Sequence, residues 1–291
     1  MSQFNVSVRR AQQRRFVSVG RSHLAALASL ACIGSCVGVS QASPFASSVV
    51  SYTPGTGINP NYTNPNAALG SPARVNGTSF GPATAVNPFN SPFENFDIVS
   101  IGRGGSLTIA FDHDVTDDAA NPFGLDLLIF GNSFISTFGS GGYFAEGGVI
   151  ELSLDGSTWT TVTGSGPRGS GQGADAGYPT LGFNDITDPF SSPAGNSPTD
   201  FTRPVDPNFN PLGLSLADII AGYNGSGGGL GIDIGAFGLN AIRYVRVSNP
   251  LDGIDTPDID AFADVSPIPS PASGVVLLGL ACAMRRRRPL K

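Results

Sequence analysis

Four aspartates, Asp252, Asp255, Asp258 and Asp260, crowd into nine consecutive residues late in the chain. Carboxylates gathered on a glycine-containing lead-in and the start of a strand supply hard oxygen ligands, and Ca²⁺ takes about six to eight oxygens at ~2.4 Å. Strand alternation puts Asp258 and Asp260 on one face, and the segment around Gly253 is free enough to fold Asp252 and Asp255 towards them. The spacing is not that of an EF-hand loop. Crowded carboxylates repel, so an ion, arginines or water must neutralise them. Calcium held by these four residues, and acids that are solvated or arginine-paired, are the two readings this spacing leaves open.

A second acidic stretch, Asp112, Asp114, Asp117 and Asp118, surrounds His113 after a strand-like run and reads as a solvated loop. His113 is the only histidine beyond the N-terminal segment, so one chain cannot build a two-histidine metal site there. No serine has the flanking glycines of a nucleophile elbow. A glycosidase needs two placed carboxylates, and Glu94, Glu146 and Glu151 are available partners for the aspartates, but nothing in the sequence selects a pair. The glycines from Gly225 to Gly231 miss the dinucleotide fingerprint and follow a helical pattern instead of a strand. Trp159, Tyr244 and Phe262 could stack on a sugar, though strand positions favour a core role, and Arg243 and Arg246 are expected to pair with acids.

The charge is unevenly spread. All 22 acids lie between Glu94 and Asp264, and the six arginines between residues 43 and 267 leave that region near −16. Such a surface repels phosphate backbones, which argues against nucleic-acid binding, and attracts cations. The excess of aspartate, 19 of the 22, fits either a salty habitat or a demand for hard-cation ligands. Cys32, Cys36 and Cys282 all fall in apolar terminal segments, so the region between carries no disulfide, thiolate nucleophile or cysteine zinc site.

The elements that must position these residues are short strands. Residues 43–95 are rich in Gly, Pro and Asn and read as extended segments and turns; 96–266 read as the β-sandwich proper. Alternation and β-branched content predict strands over 97–101, 106–112, 125–130, 149–154, 159–163, 242–248 and 258–265. Gly102 to Gly105 look like a hairpin connection, and Asp155-Gly156-Ser157 like a tight turn. A glycine- and proline-rich stretch over 164–214 shows no period and reads as a long loop. Ser215 caps a short helix ending near Tyr223, with Asp218 in its first turn. About seven short strands with one helix predict an all-β jelly-roll sandwich.

Both ends read as address labels. Arg9, Arg10, Arg14, Arg15 and Arg21 precede an apolar run from Leu24 to Val39 and a small-x-small site ending at Ala42, the order of a secretory signal peptide over 1–42. At the other end, over 267–291, Pro267, Pro269 and Pro271 lead into an apolar stretch from Ala272 to Met284 and then Arg285, Arg286, Arg287 and Arg288. Thirteen helical residues cover only ~20 Å, short for a ~30 Å hydrocarbon core, and the arginines would hold that end in the cytoplasm. A tail of this kind either stays as a short anchor or is cut near the prolines.

The proline motif, short apolar helix and arginine cluster together resemble the PEP-CTERM sorting signal, with Pro-Ile-Pro-Ser-Pro in place of Pro-Glu-Pro. That resemblance implies export, transient membrane attachment through the tail alone, handling by an exosortase-type transpeptidase, and delivery to the envelope or its exopolysaccharide. Within the ectodomain, Ser153-Leu154-Asp155-Gly156-Ser157-Thr158-Trp159 and the later Arg243-Tyr244-Val245-Arg246-Val247 resemble the paired motifs of discoidin-like modules. Ile98 to Thr108, Asp126 to Phe130, Ser215 to Ile219 and Asp258 to Ala261 resemble bacterial cell-surface proteins of the same galactose-binding-like sandwich type. Such relatives carry an acid and an asparagine after the strand at 126–130, where this chain has Gly131-Asn132. The resulting expectation is a non-enzymatic surface or matrix protein, calcium-dependent and polysaccharide-binding. A secreted glycan-active hydrolase or lyase, and a purely structural envelope component, are the alternatives.

Overall fold

The computed structural model describes residues 42–79, 81–137, 142–163, 173 and 176–265; the expected signal peptide over 1–42, save Ala42, and the expected sorting tail over 267–291 lie outside them. In chain order the strands are β1 (Ser48–Thr53), β2 (Val75–Asn76), β3 (Thr84–Ala85), β4 (Val99–Ser100), β5 (Ser106–Thr116), β6 (Leu127–Gly131) and β7 (Phe134–Ser136). There follow β8 (Gly142–Phe144), β9 (Val149–Ser153), β10 (Thr160–Thr161), helix α1 (Leu216–Tyr223), β11 (Leu230–Ile232), β12 (Ala241–Ser248) and β13 (Asp258–Asp264). Among the described residues the fold is all-β with one α-helix. A five-stranded sheet runs β1-β5-β12-β9-β10, a four-stranded sheet runs β11-β6-β13-β4, and every ladder is antiparallel.

The inner faces of these two sheets share one core. Leu107, Ile109 and Phe111 of β5, Val245 and Val247 of β12, and Ile150 and Leu152 of β9 meet Leu127 and Ile129 of β6 and Ile259 and Phe262 of β13. The alternation read from β5 is what puts its apolar set inward. The four-stranded sheet is buried on its other face as well, where Leu128, Phe130, Ala261 and Ala263 pack with Phe201 and Phe45. This is why β6 reads as an unbroken apolar run instead of an alternating one.

Two features depart from the expected layout. Residues 43–95 contribute β1, which pairs with β5 at the edge of the larger sheet. Residues 102–105 do not close a hairpin: β4 and β5 belong to different sheets, and this segment crosses between them. Its glycines serve close backbone approach. The Gly102 N–H donates to Pro54 O at 2.7 Å, and a Cβ on Gly102 would stand 2.5 Å from Thr56 O.

The described part of the 164–214 stretch folds, together with α1, into a layer with its own apolar centre. Tyr178, Leu181, Phe183, Val205, Ile219 and Tyr223 are buried there with Ile135 of β7. The expected cap is present: Ser215 Oγ accepts from Asp218 N at 3.2 Å, and Asn224 ends the helix in the left-handed region. The layer closes at its base through reciprocal backbone bonds between Tyr178 and Gly229, 3.1 and 2.8 Å. Arg74 then clamps it, donating to Gly182 O (2.7 Å) and Thr199 O (3.0 Å) while its guanidinium sits 4.0 Å from the Phe201 ring centroid. Phe201 in turn meets Phe130 edge to face at 5.4 Å. Replacing Phe201 by Ala removes both contacts and leaves a void. We expect a loss of about 3–5 kcal/mol in urea unfolding, with proteolysis concentrated in residues 176–229.

Candidate functional site

The four aspartates singled out by spacing occupy different settings. Asp252 and Asp255 lie on the β12–β13 loop, on the rim of an open cleft. Asp258 opens β13 and is held by Ser100, whose Oγ donates to Oδ1 at 2.5 Å, and by Asn132, whose Nδ2 donates to Oδ2 at 2.9 Å. Asp260 is fully buried and takes the Ala73 N–H on both oxygens at 3.2 and 3.0 Å. No three of the four carboxylates converge within 4.8 Å. The reason is a register shift between Ile259 and Ala261, which breaks the two-residue alternation that would have put Asp258 and Asp260 on one face.

Around Asp258 the protein gathers acids with polar but uncharged partners. Glu146 accepts from Thr256 N at 3.2 Å, and burial followed by the nearby Asp258 raises its carboxyl to about 7. Burial and then Glu94 raise Asp97 to about 6, and the same burial pushes Asp258 upward against the hydrogen bonds from Ser100 and Asn132. Asp260 goes well above the usual carboxylate range, chiefly by burial. Tyr52 donates to Ser100 O at 2.7 Å, and burial and then Asp258 lift its phenol to about 12. Asp97 Oδ2 and Asn132 Oδ1 are buried atoms without a hydrogen-bond partner in the protein.

A different trio does converge. Asp117, Asp126 and Asp233 bring one carboxylate oxygen each to within 4.8 Å of the others, where the end of β5, the lead-in to β6 and the exit of β11 meet. Asp126 is fully buried. Its Oδ1 accepts from Asp118 N (3.0 Å) and Asn121 Nδ2 (2.9 Å), and its Oδ2 from Ile234 N (3.1 Å). Three oxygens fall short of the six to eight that calcium takes, and Asp126 is already largely satisfied. Through the donors to Asp126 the trio ties its loops together.

The cleft has a volume of about 730 Å³ and runs between the β9–β10 edge of one sheet and the β11 edge of the other. Its floor is apolar, from Ile150, Val162, Leu230, Ile232 and Phe237; its rim carries Thr161, Thr163, Asp233, Asp252 and Asp255. Asp233 links it to the trio, and Asp255 lies near enough to Glu146 to contribute to that group's raised pKa.

The remaining singled-out residues are held by contacts within the fold. Asp112 and Asp114 lie on β5 itself, since the strand runs to Thr116 and not only to Asp112. His113 sits between Asp112 (2.7 Å) and the buried Asp264 (2.9 Å). Arg243 meets Asp114 at 2.6 Å, and Arg246 meets Glu151 at 2.7 Å with its guanidinium 4.1 Å from the Trp159 ring centroid. Phe262 is core, Tyr244 is partly exposed, and Glu94 accepts from Ser79 N at 3.1 Å. Sequence reasoning did not select Asp126, Asp233, Asp97 or Asn132. A lone acid directly before an apolar strand was the available signal for Asp126. Comparison with known proteins finds no protein family whose pattern this chain matches and no curated relative of significant similarity.

Two outcomes test this electrostatic picture. Glu146 and Asp97 have folded-state pKa values of about 7 and about 6, above their unfolded values, so the native state holds their protons more tightly. The stability they contribute is complete below the unfolded pKa values and is lost as pH rises through about 6 and then about 7. The melting temperature should accordingly fall between about pH 5 and about pH 8, and Glu146→Gln should raise it by a few degrees at the alkaline end with little effect at the acid end. A flat profile that Glu146→Gln leaves unchanged would remove the assignment. Asp126→Asn puts an amide donor against N–H donors, with an expected cost of about 1–3 kcal/mol in denaturant unfolding.

Proposed function

We propose that this chain is an exported bacterial envelope protein whose signal peptide is removed after Ala42, whose tail from Pro267 is handled by an exosortase-type transpeptidase, and whose sandwich, of jelly-roll type, binds extracellular polysaccharide without catalysis. The observation that carries the binding reading is the open cleft of about 730 Å³, within the ~300–1,000 Å³ range of ligand sites, with an apolar floor and a rim of hydroxyls and carboxylates. The address rests on the residue order of the two terminal segments; beyond Ala42, Pro44 O accepts from Asp264 N at 2.7 Å and Ala46 N donates to Phe262 O at 3.1 Å. These bonds tie the new N-terminus to the strand from which the tail departs. Calcium enters as an aid to stability, because a surface near −16 with six arginines draws divalent cations.

One observation favours a second reading, that of a glycan-active enzyme. Glu146, with its pKa near 7, stands close enough to Asp258 and Asp255 to feel their charge, and a carboxyl that stays protonated near neutral pH can act as a general acid. Co-sedimentation of the processed protein with bacterial exopolysaccharide, with millimolar Ca²⁺ or chelator, separates the two. The binding reading expects the protein to pellet with intact polysaccharide, with a higher melting temperature in Ca²⁺. Progressive shortening of the polysaccharide, abolished by Glu146→Gln, would establish the enzyme instead. Absence of both would overturn polysaccharide as the ligand.

A further inference from the structure

The two open edges of the sandwich are built differently. On the β1–β4 side, Tyr52 reaches across to Ser100, and Ala67 and Leu69 pack against the shared core. On the β10–β11 side the sheets part and leave the cleft, so core side chains Ile150, Leu230 and Ile232 form its floor beside the half-buried Val162 and Phe237. No arginine or lysine lines it among the described residues, while Asp233, Asp252 and Asp255 stand at its rim.

From this geometry we infer that the cleft between β10 and β11 is the saccharide site, and that its ligand is an uncharged oligosaccharide segment. This rests on the polysaccharide-binding reading and names its site and sugar class. A pyranose offers C–H faces to an apolar floor and hydroxyl donors to carboxylates and threonines, the complement of what the cleft presents. A uronate or sulfated sugar would bring negative charge against three carboxylates, with no cation among the described lining residues to offset it. An extended peptide fits less well. It would need a sheet edge several residues long to pair with, and β10 and β11 offer two and three residues.

The test uses the full chain in its processed, secreted form, titrated calorimetrically with neutral hexose pentamers of several linkages and with a uronate pentamer. Two variants accompany it: Thr161→Trp, which fills the cleft from an exposed edge position, and Asp252→Arg, which places a cation among the rim carboxylates at an exposed loop position. The expected result is binding of a neutral pentamer, weakened about tenfold or more by Thr161→Trp, and a gain of uronate binding in Asp252→Arg. Thermal unfolding reports whether each variant is folded, and Asp252→Arg carries the test if Thr161→Trp is not. If wild type binds a sugar that both variants bind equally well, the cleft assignment falls while the polysaccharide reading stands. If wild type prefers the uronate, the uncharged class is wrong. If it binds no pentamer and does not pellet with any exopolysaccharide, the polysaccharide reading itself fails. Pelleting with exopolysaccharide but binding no pentamer would overturn the cleft as the site. Capture of reduced, unfolded casein, blocked by Thr161→Trp, would make the cleft a peptide site.

Discussion

The structure depends on burying the β6–β13 pair on both faces. Leu127 and Ile129 face the larger sheet, Leu128 and Phe130 face Phe201 and Phe45, and Ala261 and Ala263 keep the outer surface flat enough for that second layer to approach. A strand pair buried on both sides has no tolerance for a slip, because moving by one residue exchanges its two faces. The single irregularity, at Asp260, lets Ile259 face the inner core and Ala261 the outer one although they are two residues apart. Were the alternation regular, both would point the same way.

That bulge also settles the arrangement of the acids. It sends Asp258 to Ser100 and Asn132, and Asp260 to the Ala73 backbone. With six arginines for 22 acids between residues 43 and 267, most carboxylates there cannot pair with an arginine, and many are satisfied by backbone N–H groups and hydroxyls instead. Asp126 is the fullest case, with three donors drawn from two separate loops. Asp155 shows the same habit at the surface, where the N–H groups of Ser157 and Thr158 hold its carboxyl well below the usual range. Burial in a low-dielectric setting without a cation has the opposite effect on Glu146 and Asp97.

The cleft lies where the second layer stops. Residues 176–229 cover the outer face of the smaller sheet and pin β11 by its start, while β10 on the opposite sheet is only two residues long. Among the described residues the two edges therefore leave a cleft between them. Ile150, Leu230 and Ile232, themselves buried, back the groove beneath its polar rim. The exposed Leu251 and Ile254 on the adjoining loop extend this apolar character beyond the groove.

Much was readable from residue order alone. The apolar alternation of β5, the unbroken run of β6, the Ser215 cap and the Asp155-Gly156 turn are local statements, because each is dictated by neighbours within a few residues, and each is present in the fold. The export and sorting expectations belong to the terminal segments and are likewise written in local order. Pairing was not readable. Gly102 to Gly105 look the same whether they close a hairpin or cross between sheets, and the choice is made by Pro54 and Thr56, some fifty residues earlier in the chain. The order of residues 164–214 hides a core because its apolar residues follow no period; Arg74, Tyr178 and Phe201 organise it through contacts distant in sequence. Grouping the carboxylates needed the same information: which acids share a site depends on which strand ends meet and where one bulge falls. Short-range chemistry thus determined the elements and their faces, whereas long-range packing alone decided which sheet each strand joined, which acids became neighbours, and where the two edges left a cleft.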